Sequence, residues 1–279
     1  MNGNSGKTHG RIWQVDAFAG KIFEGNPAGV CLLDGPADED WMRAMAAEMN
    51  LSETAFVHRE SSGKNEYFSI RYFTPLVEVP LCGHATLATA HVLFEEGLGS
   101  AEDGLELHAP GGEFLAKRRT GGWIGIDYPS DIPEEFPVPP GFSEAFGFDA
   151  LTCHRSKAGL FAIVENEELV RRANPDIRKM CSGGFGDIAI SAASEGEYDF
   201  VSRMFAPEMG IDEDPVTGSI HLSLGQYWKT RLGRDALNAF QASRRGGALR
   251  LEIGPRRSII SGQARTVFSG ILAQSPLSR

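Results

Sequence analysis

The chain has 279 residues, enough for one large domain or two ordinary ones, with 42% hydrophobic and 23% charged residues. A mean hydropathy of −0.20 leaves no room for a disordered or membrane-embedded majority. The 27 Lys and Arg against 37 Asp and Glu give a net charge of −10 without a basic stripe, which excludes binding along a nucleic-acid backbone. Cysteines at 31, 82, 153 and 181 are too scattered for a C-x-x-C pair and too few for a disulfide scaffold, so a reducing, cytoplasmic setting is expected.

The opening MNGNSGKTHG is polar, and no apolar run reaches the length of a membrane span, so neither a signal peptide nor a membrane partner is expected. Gly3 to Thr8 imitates a phosphate-binding loop, but Met1 stands where the motif needs its first glycine and no strand leads in. Gly184-Phe185-Gly186-Asp187 likewise imitates a dinucleotide fingerprint, but it follows RKMCSG rather than an apolar strand and reads as a loop entering a strand.

An internal repeat organises the remainder. Arg71-x-Phe73-x-Pro75 lines up with Arg203-x-Phe205-x-Pro207 at an offset of 132. Upstream, Val30 to Leu33 followed by Asp40 to Met49 is echoed by Phe161 to Val164 followed by Glu167 to Ala173. Downstream, Gly83-His84-Ala85 is echoed by Gly218-Ser219-Ile220 at an offset of 135. The expectation is an α+β chain of two pseudo-symmetric halves joined near Pro129 to Pro140, with a cleft between them.

In each half a strand, a Pro-containing turn and a loop lead to a glycine that opens a helix, expected at Gly83 to Glu95 and at about Gly218 to Thr230. Helix starts expose unpaired N–H groups and partial positive charge, so Gly83, Thr217, Gly218 and Ser219 are candidate carboxylate binders. Glu53, His84 and Asp214 are the acid/base candidates. Glu53 enters an apolar strand-like run, where burial is expected to raise its pKa toward a value suited to proton transfer.

The segments VDAF (15 to 18), EGNPAGV (24 to 30), MNLSETAFV (49 to 57), FTP (73 to 75), CGHATLATA (82 to 90), SRMFAP (202 to 207), GIDEDPVTGSIH (210 to 221), QASRRGG (241 to 247) and SGQA (261 to 264) run in order along nearly the whole chain. Together they resemble the PhzF-like isomerase family of phenazine biosynthesis. The resemblance implies a diaminopimelate-epimerase-like fold, in which each half wraps a sheet around a central helix. The first half would be 11–128, with a C-terminal strand, 266–279, returning to it, and the second 129–265. It further implies a homodimer with neither metal nor organic cofactor, and a small carboxylate-bearing substrate on which Glu53 shuttles a proton. His84 and Asp214 would position the substrate and stabilise charge, while Gly83, Thr217, Gly218 and Ser219 would hold its carboxylate.

Two other readings stand beside that one. A two-base racemase or epimerase would need a thiol from each half; Cys82 matches one position, but the repeat places Thr217 at the other, and a hydroxyl is far too weak an acid to replace a thiol. A noncatalytic ligand-binding protein could keep the fold without the chemistry. A zinc pair of His84 and His91 is excluded, because seven residues span about 10.5 Å of helix.

Overall fold

The computed structural model describes residues 10–63, 65–100 and 103–273, so the Gly3 to Thr8 segment lies outside the described residues. In chain order the elements are β1 (Arg11–Ala17), β2 (Asn26–Leu33), α1 (Glu39–Met49), β3 (Glu53–Ser62), β4 (Asn65–Phe73), β5 (Glu78–Val79), α2 (Gly83–Glu95), β6 (Leu105–Ala109), β7 (Gly112–Arg119) and β8 (Trp123–Pro129). There follow β9 (Glu134–Phe136), α3 (Phe142–Phe146), β10 (Thr152–Ser156), β11 (Gly159–Ile163), α4 (Glu167–Arg172), α5 (Ile177–Gly183), β12 (Ile188–Ala193) and β13 (Phe200–Phe205). The chain continues through α6 (Gly218–Leu232), β14 (Ala236–Gln241), β15 (Gly247–Ile253), β16 (Arg257–Gly262) and β17 (Ala264–Ile271).

These elements divide into two compact units. Among the described residues, one comprises 10–17, Pro27–Ile126 and 264–273; the other comprises Phe18–Asn26 and Asp127–Gln263. Strand β17 pairs antiparallel with β1, which places that strand in the first unit.

The two units repeat one pairing pattern. In the first, β2 runs parallel to β3, β3 antiparallel to β4, β4 parallel to β6 and β6 antiparallel to β7. In the second, β11 and β12 are parallel, β12 and β13 antiparallel, β13 and β14 parallel, and β14 and β15 antiparallel. The α+β architecture with a duplicated sheet agrees with the expectation from the repeat.

The strands of each unit pack on one central helix. In α2, every residue from His84 to Phe94 except His91 is buried, which is why its sequence, GHATLATAHVLFE, is apolar or small nearly all round rather than along one stripe. α6 is buried along its first eight residues except Ser219, and it packs on β14, β15 and β16. Both helices fall where the sequence placed them, with α6 two residues longer than expected.

The repeated R-x-F-x-P motif is a structural brace in both copies. Arg71 forms a two-point bond with Glu78, Nε to Oε1 at 2.7 Å and Nη2 to Oε2 at 2.6 Å, and stacks 5.1 Å from the Phe73 ring centre. Arg203 does the same with Glu213, at 2.6 and 2.9 Å, and lies 4.9 Å from the Phe205 ring centre. These planar, two-point pairs tie the end of a strand to the loop that leads to each central helix. Glu78 and Glu213 are 135 apart whereas the arginines are 132 apart, so the extra three residues sit around the short 3-10 turn Pro207–Met209.

One glycine of the second unit is fixed by close approach. A Cβ on Gly247, at the start of β15, would lie 2.8 Å from the Phe18 carbonyl oxygen and 2.5 Å from Val216 Cγ2. Gly247→Ala is therefore expected to cost about 1–3 kcal/mol, read as a lower midpoint in denaturant unfolding; an unchanged midpoint would show that the Phe18 backbone yields freely.

Candidate active site

Each unit places a cluster of polar groups at the start of its central helix. In the first unit, α1 ends on Asn50, whose left-handed backbone (φ 49°) is tolerated by asparagine and turns the chain through Leu51 and Ser52 into β3. Glu53 is thereby the first residue of β3, paired in register with Ala28 of β2. Beside it, Gly29 faces Thr54, whose Oγ1 would lie 2.8 Å from a Cβ at 29, so only glycine leaves room for that hydroxyl.

Helix α2 begins at Gly83, with Cys82 as its N-cap; the thiol makes no capping bond, so the helix start keeps its open N–H groups. His84 is buried beside Ser52, Glu53 and Cys82. Its Nε2 lies 3.2 Å from Ser52 Oγ and 3.2 Å from Glu53 Oε2, and its Nδ1 lies 3.4 Å from Cys82 Sγ. Glu53 Oε2 is buried and accepts no aligned hydrogen bond, so it meets the imidazole by charge and proximity.

This arrangement corrects the expectation for Glu53. Burial does push its carboxyl up, but the approach and positive charge of His84, with Ser52 and Cys82 behind them, outweigh burial and hold it below the ordinary 4.5. Burial would lower His84, but Cys82 and Glu53 raise it well above the ordinary 6.5. Burial also pushes the Cys82 thiol up, so Glu53 is the partner that stays anionic near neutral pH. These opposite directions favour a carboxylate–imidazolium pair.

In the second unit, α6 begins at Gly218 with Thr217 as its N-cap, again without a capping bond from the side chain. Thr217 donates its hydroxyl to Asp214 Oδ2 at 2.5 Å. Asn26 Nδ2 donates to Asp214 Oδ1 at 2.8 Å and to the Val216 carbonyl at 3.0 Å. Gln241 closes the cluster, accepting from the Thr217 N–H at 2.8 Å and donating to the Asp214 carbonyl at 2.7 Å. Asp214 is thus an acceptor for the Thr217 hydroxyl and the Asn26 amide. Ser219 lies half-buried in the first turn of α6.

The two helix starts are braced alike from beneath. Thr86 donates its hydroxyl to the Cys82 carbonyl at 2.7 Å and receives one from Tyr72, also at 2.7 Å. In the matching place His221 Nδ1 donates to the Thr217 carbonyl at 2.8 Å, and its Nε2 accepts from Ser202 Oγ at 3.0 Å. Complete burial pushes His221 down to about 4, so it stays neutral and the carbonyl acceptor fixes its Nδ1–H tautomer.

Glu53, His84 and Gly83 therefore gather around one helix start, and Asp214, Thr217, Gly218 and Ser219 around the other. Asn26 and Gln241 lay within motifs quoted from the sequence but were not picked out as site residues. Strand register discloses another. Thr54 pairs with Phe73, and Ile188 pairs with Phe205, which makes Asp187 the counterpart of Glu53. Burial raises the Asp187 carboxyl, and it accepts the Glu208 N–H at 2.8 Å.

Among the described residues, the donor atoms of Glu53, Cys82 and His84 lie within 4.8 Å of one another, but Cys82 Sγ sits beside the imidazole, 3.4 Å from Nδ1 and 3.8 Å from Nε2, so the three do not fit a single tetrahedral ion. Among the described residues no helix is long and apolar enough to cross a membrane.

The sequence profile of the phenazine biosynthesis-like protein family, PhzC-PhzF, matches residues 15–127 and 144–270. An uncharacterized isomerase of Halalkalibacterium halodurans is 42% identical over 92% of this chain and 96% of its own. The phenazine biosynthesis-like domain-containing protein of Homo sapiens is 36% identical, covering 94% of this chain and 98% of its own. The crystal structure of a PhzF-family phenazine biosynthesis protein from Enterococcus faecalis superposes with a TM-score of 0.88 at 37% identity, covering 95% of this chain and all of that one. A hydroxyproline epimerase from Agrobacterium vitis, at a TM-score of 0.61 and 10% identity, shares the fold alone. With motifs, duplicated fold and matched relatives in agreement, the chain belongs to the PhzC-PhzF family of phenazine biosynthesis-like proteins.

Proposed function

We propose that the chain is a cofactor-independent isomerase that moves a proton on a small carboxylate-bearing substrate, with Glu53 as the acid/base. The observation that carries this reading is the buried Glu53–His84 pair, in which Oε2 stands 3.2 Å from the imidazole and accepts no aligned hydrogen bond. A carboxylate in that position is ionised at neutral pH and retains a lone pair for a substrate C–H. His84 stabilises the negative charge that develops as carbon loses its proton, and Asp214 positions the substrate. Gly83 and the open start of α6, through Thr217, Gly218 and Ser219, hold the substrate carboxylate.

The name isomerase carried by relatives supports the reaction class. A two-thiol mechanism is disfavoured, because Thr217 stands opposite Cys82 in the repeat and its hydroxyl is already committed to Asp214. Cys82→Ala is accordingly expected to keep exchange activity within a few-fold of the parent; complete loss in a folded variant would restore the thiol to the chemistry.

The direct test is incubation with amino acids, hydroxy acids and unsaturated cyclic acids in heavy water, followed by mass spectrometry. Deuterium incorporation into one class of acid, with movement of a double bond or inversion at carbon, is the expected result. Tight binding of such an acid with no exchange would instead make the chain a ligand-binding protein.

A further inference from the structure

We propose that Gln241 is a positioning residue whose side-chain amide closes the loop from Asp214 to Thr217, so that the Asp214 carboxylate and the first amides of α6 are aimed at one bound substrate. The bracing stands on geometry alone; its consequence for turnover rests on the roles given above to Asp214 and to the α6 start.

Gln241 is the last residue of β14 and is completely buried. Its side-chain oxygen accepts the Thr217 N–H at 2.8 Å, and its nitrogen donates to the Asp214 carbonyl at 2.7 Å and to Thr217 Oγ1 at 3.3 Å. These partners fix which end of the amide is which, because an N–H only donates and a carbonyl only accepts. The Thr217 hydroxyl, receiving from Gln241, therefore directs its own hydrogen to Asp214 Oδ2. The Thr217 N–H is spent on Gln241, so the amides that the α6 start offers an anion are those of Gly218, Ser219 and Ile220.

The internal repeat separates this role from the needs of the fold. Phe68 pairs with Leu107 in the first unit as Phe200 pairs with Ala239 in the second, which makes Ala109, the last residue of β6, the counterpart of Gln241. Ala109 has no side-chain donor or acceptor. In the first unit the loop ahead of the central helix is tied instead by backbone, from the Gly111 N–H to the Pro80 carbonyl at 2.8 Å. The same pairing pattern thus forms without a glutamine. A buried amide is costly unless bonded, and this one stands in the unit that carries Asp214, with both of its ends on the Asp214 to Thr217 loop.

Because both ends are used, a carboxylate cannot replace the amide. It could accept from the Thr217 N–H, but it could not donate to the Asp214 carbonyl, and it would draw the Thr217 hydroxyl away from Asp214. A protonated carboxyl has one donor and one acceptor and restores the pattern. Burial and the neighbouring Asp214 carboxylate raise the pH at which a carboxyl placed there would ionise, while His221, reached through Ser202, the register partner of Gln241, is neutral. Gln241→Glu should therefore fail when charged and recover when protonated, which a space-filling role would not produce.

Inorganic sulfate, dianionic from acid to alkaline pH, probes the α6 start of the full chain without relying on turnover, through the amide resonances of Gly218, Ser219 and Ile220. In the parent chain sulfate is expected to shift these resonances at about pH 5.5 and about pH 8 alike. Gln241→Glu should weaken sulfate by about 10–100-fold at the higher pH, the factor that an unpaired buried hydrogen-bonding group costs, and return to within a few-fold of the parent at the lower. Gln241→Met, which bonds at neither end, should bind weakly at both, and it decides the matter if the charged variant fails to fold by circular dichroism. In the heavy-water assay the Gln241→Glu loss should fall mainly on KM and be relieved by acid over the same range. Sulfate binding equal to the parent in either folded variant at the higher pH, or a Gln241→Glu defect that acid does not relieve, overturns the positioning role and leaves the anion site standing. Absence of any sulfate response at these amides in the parent chain overturns the anion-holding reading of the α6 start, and this inference with it.

Discussion

Glu53→Gln is expected to lower the rate of deuterium incorporation by about 10²–10⁴-fold, the range that a positioned general acid/base contributes, while the fold and the affinity for a carboxylate ligand stay nearly unchanged. The amide occupies the same volume at the start of β3 and still offers an oxygen toward His84, but it has no lone pair basic enough to take a proton from carbon. The loss should therefore fall on kcat rather than on KM, because substrate binding is assigned to Gly83 and to the α6 start. Undiminished exchange in the glutamine variant would remove Glu53 from the mechanism. A loss confined to KM would make it a binding residue.

The sequence made the duplicated architecture legible because the repeat lies in short, strongly constrained segments. The Arg71 and Arg203 braces need an arginine and a phenylalanine two positions on, so the spacing of those two residues discloses the repeat, while their glutamate partners, at a different offset, come from the fold. Helices α2 and α6 were readable because a helix buried on nearly all sides must be small and apolar throughout. What spacing could not disclose was who meets whom. Asn26 reaches Asp214 across 188 positions, and no local pattern announces that bond. Asp187 escaped notice because the repeat offset slips from 132 at the arginines to 134 at Asp187, where only strand register restores the alignment. The direction of the Glu53 shift was also out of reach, since burial can be inferred from an apolar run but the counter-charge of His84 comes from a separate helix.

The Glu53–His84 pair also sets the dependence on pH, and the expected rate profile is a plateau across neutrality with two steep limbs. On the acid side, kcat/KM should hold down to pH values below the ordinary 4.5 of a glutamate, because His84 keeps Glu53 ionised there, and then fall about tenfold per unit as the base is protonated. On the alkaline side it should fall only well above the ordinary 6.5 of a histidine, where His84 loses the proton that balances developing charge. Stability follows the same two groups. The lowered Glu53 contributes above its ordinary value, and that contribution is lost as pH falls through its folded value; the raised His84 contributes fully below 6.5, and that contribution is lost as pH rises through its folded value. Between those limits both are present. Glu53→Gln removes the lasting negative partner, so the His84 ring, followed by its carbon-bound proton resonances, should titrate at a lower pH in the variant than in the parent chain. His221 should titrate near 4 in both, because burial sets its value and its hydrogen-bond partners, Thr217 and Ser202, are untouched by the substitution. An unchanged His84 midpoint would show that Glu53 is not the group holding its proton, and the carboxylate–imidazolium pair would have to be replaced by a different resting state.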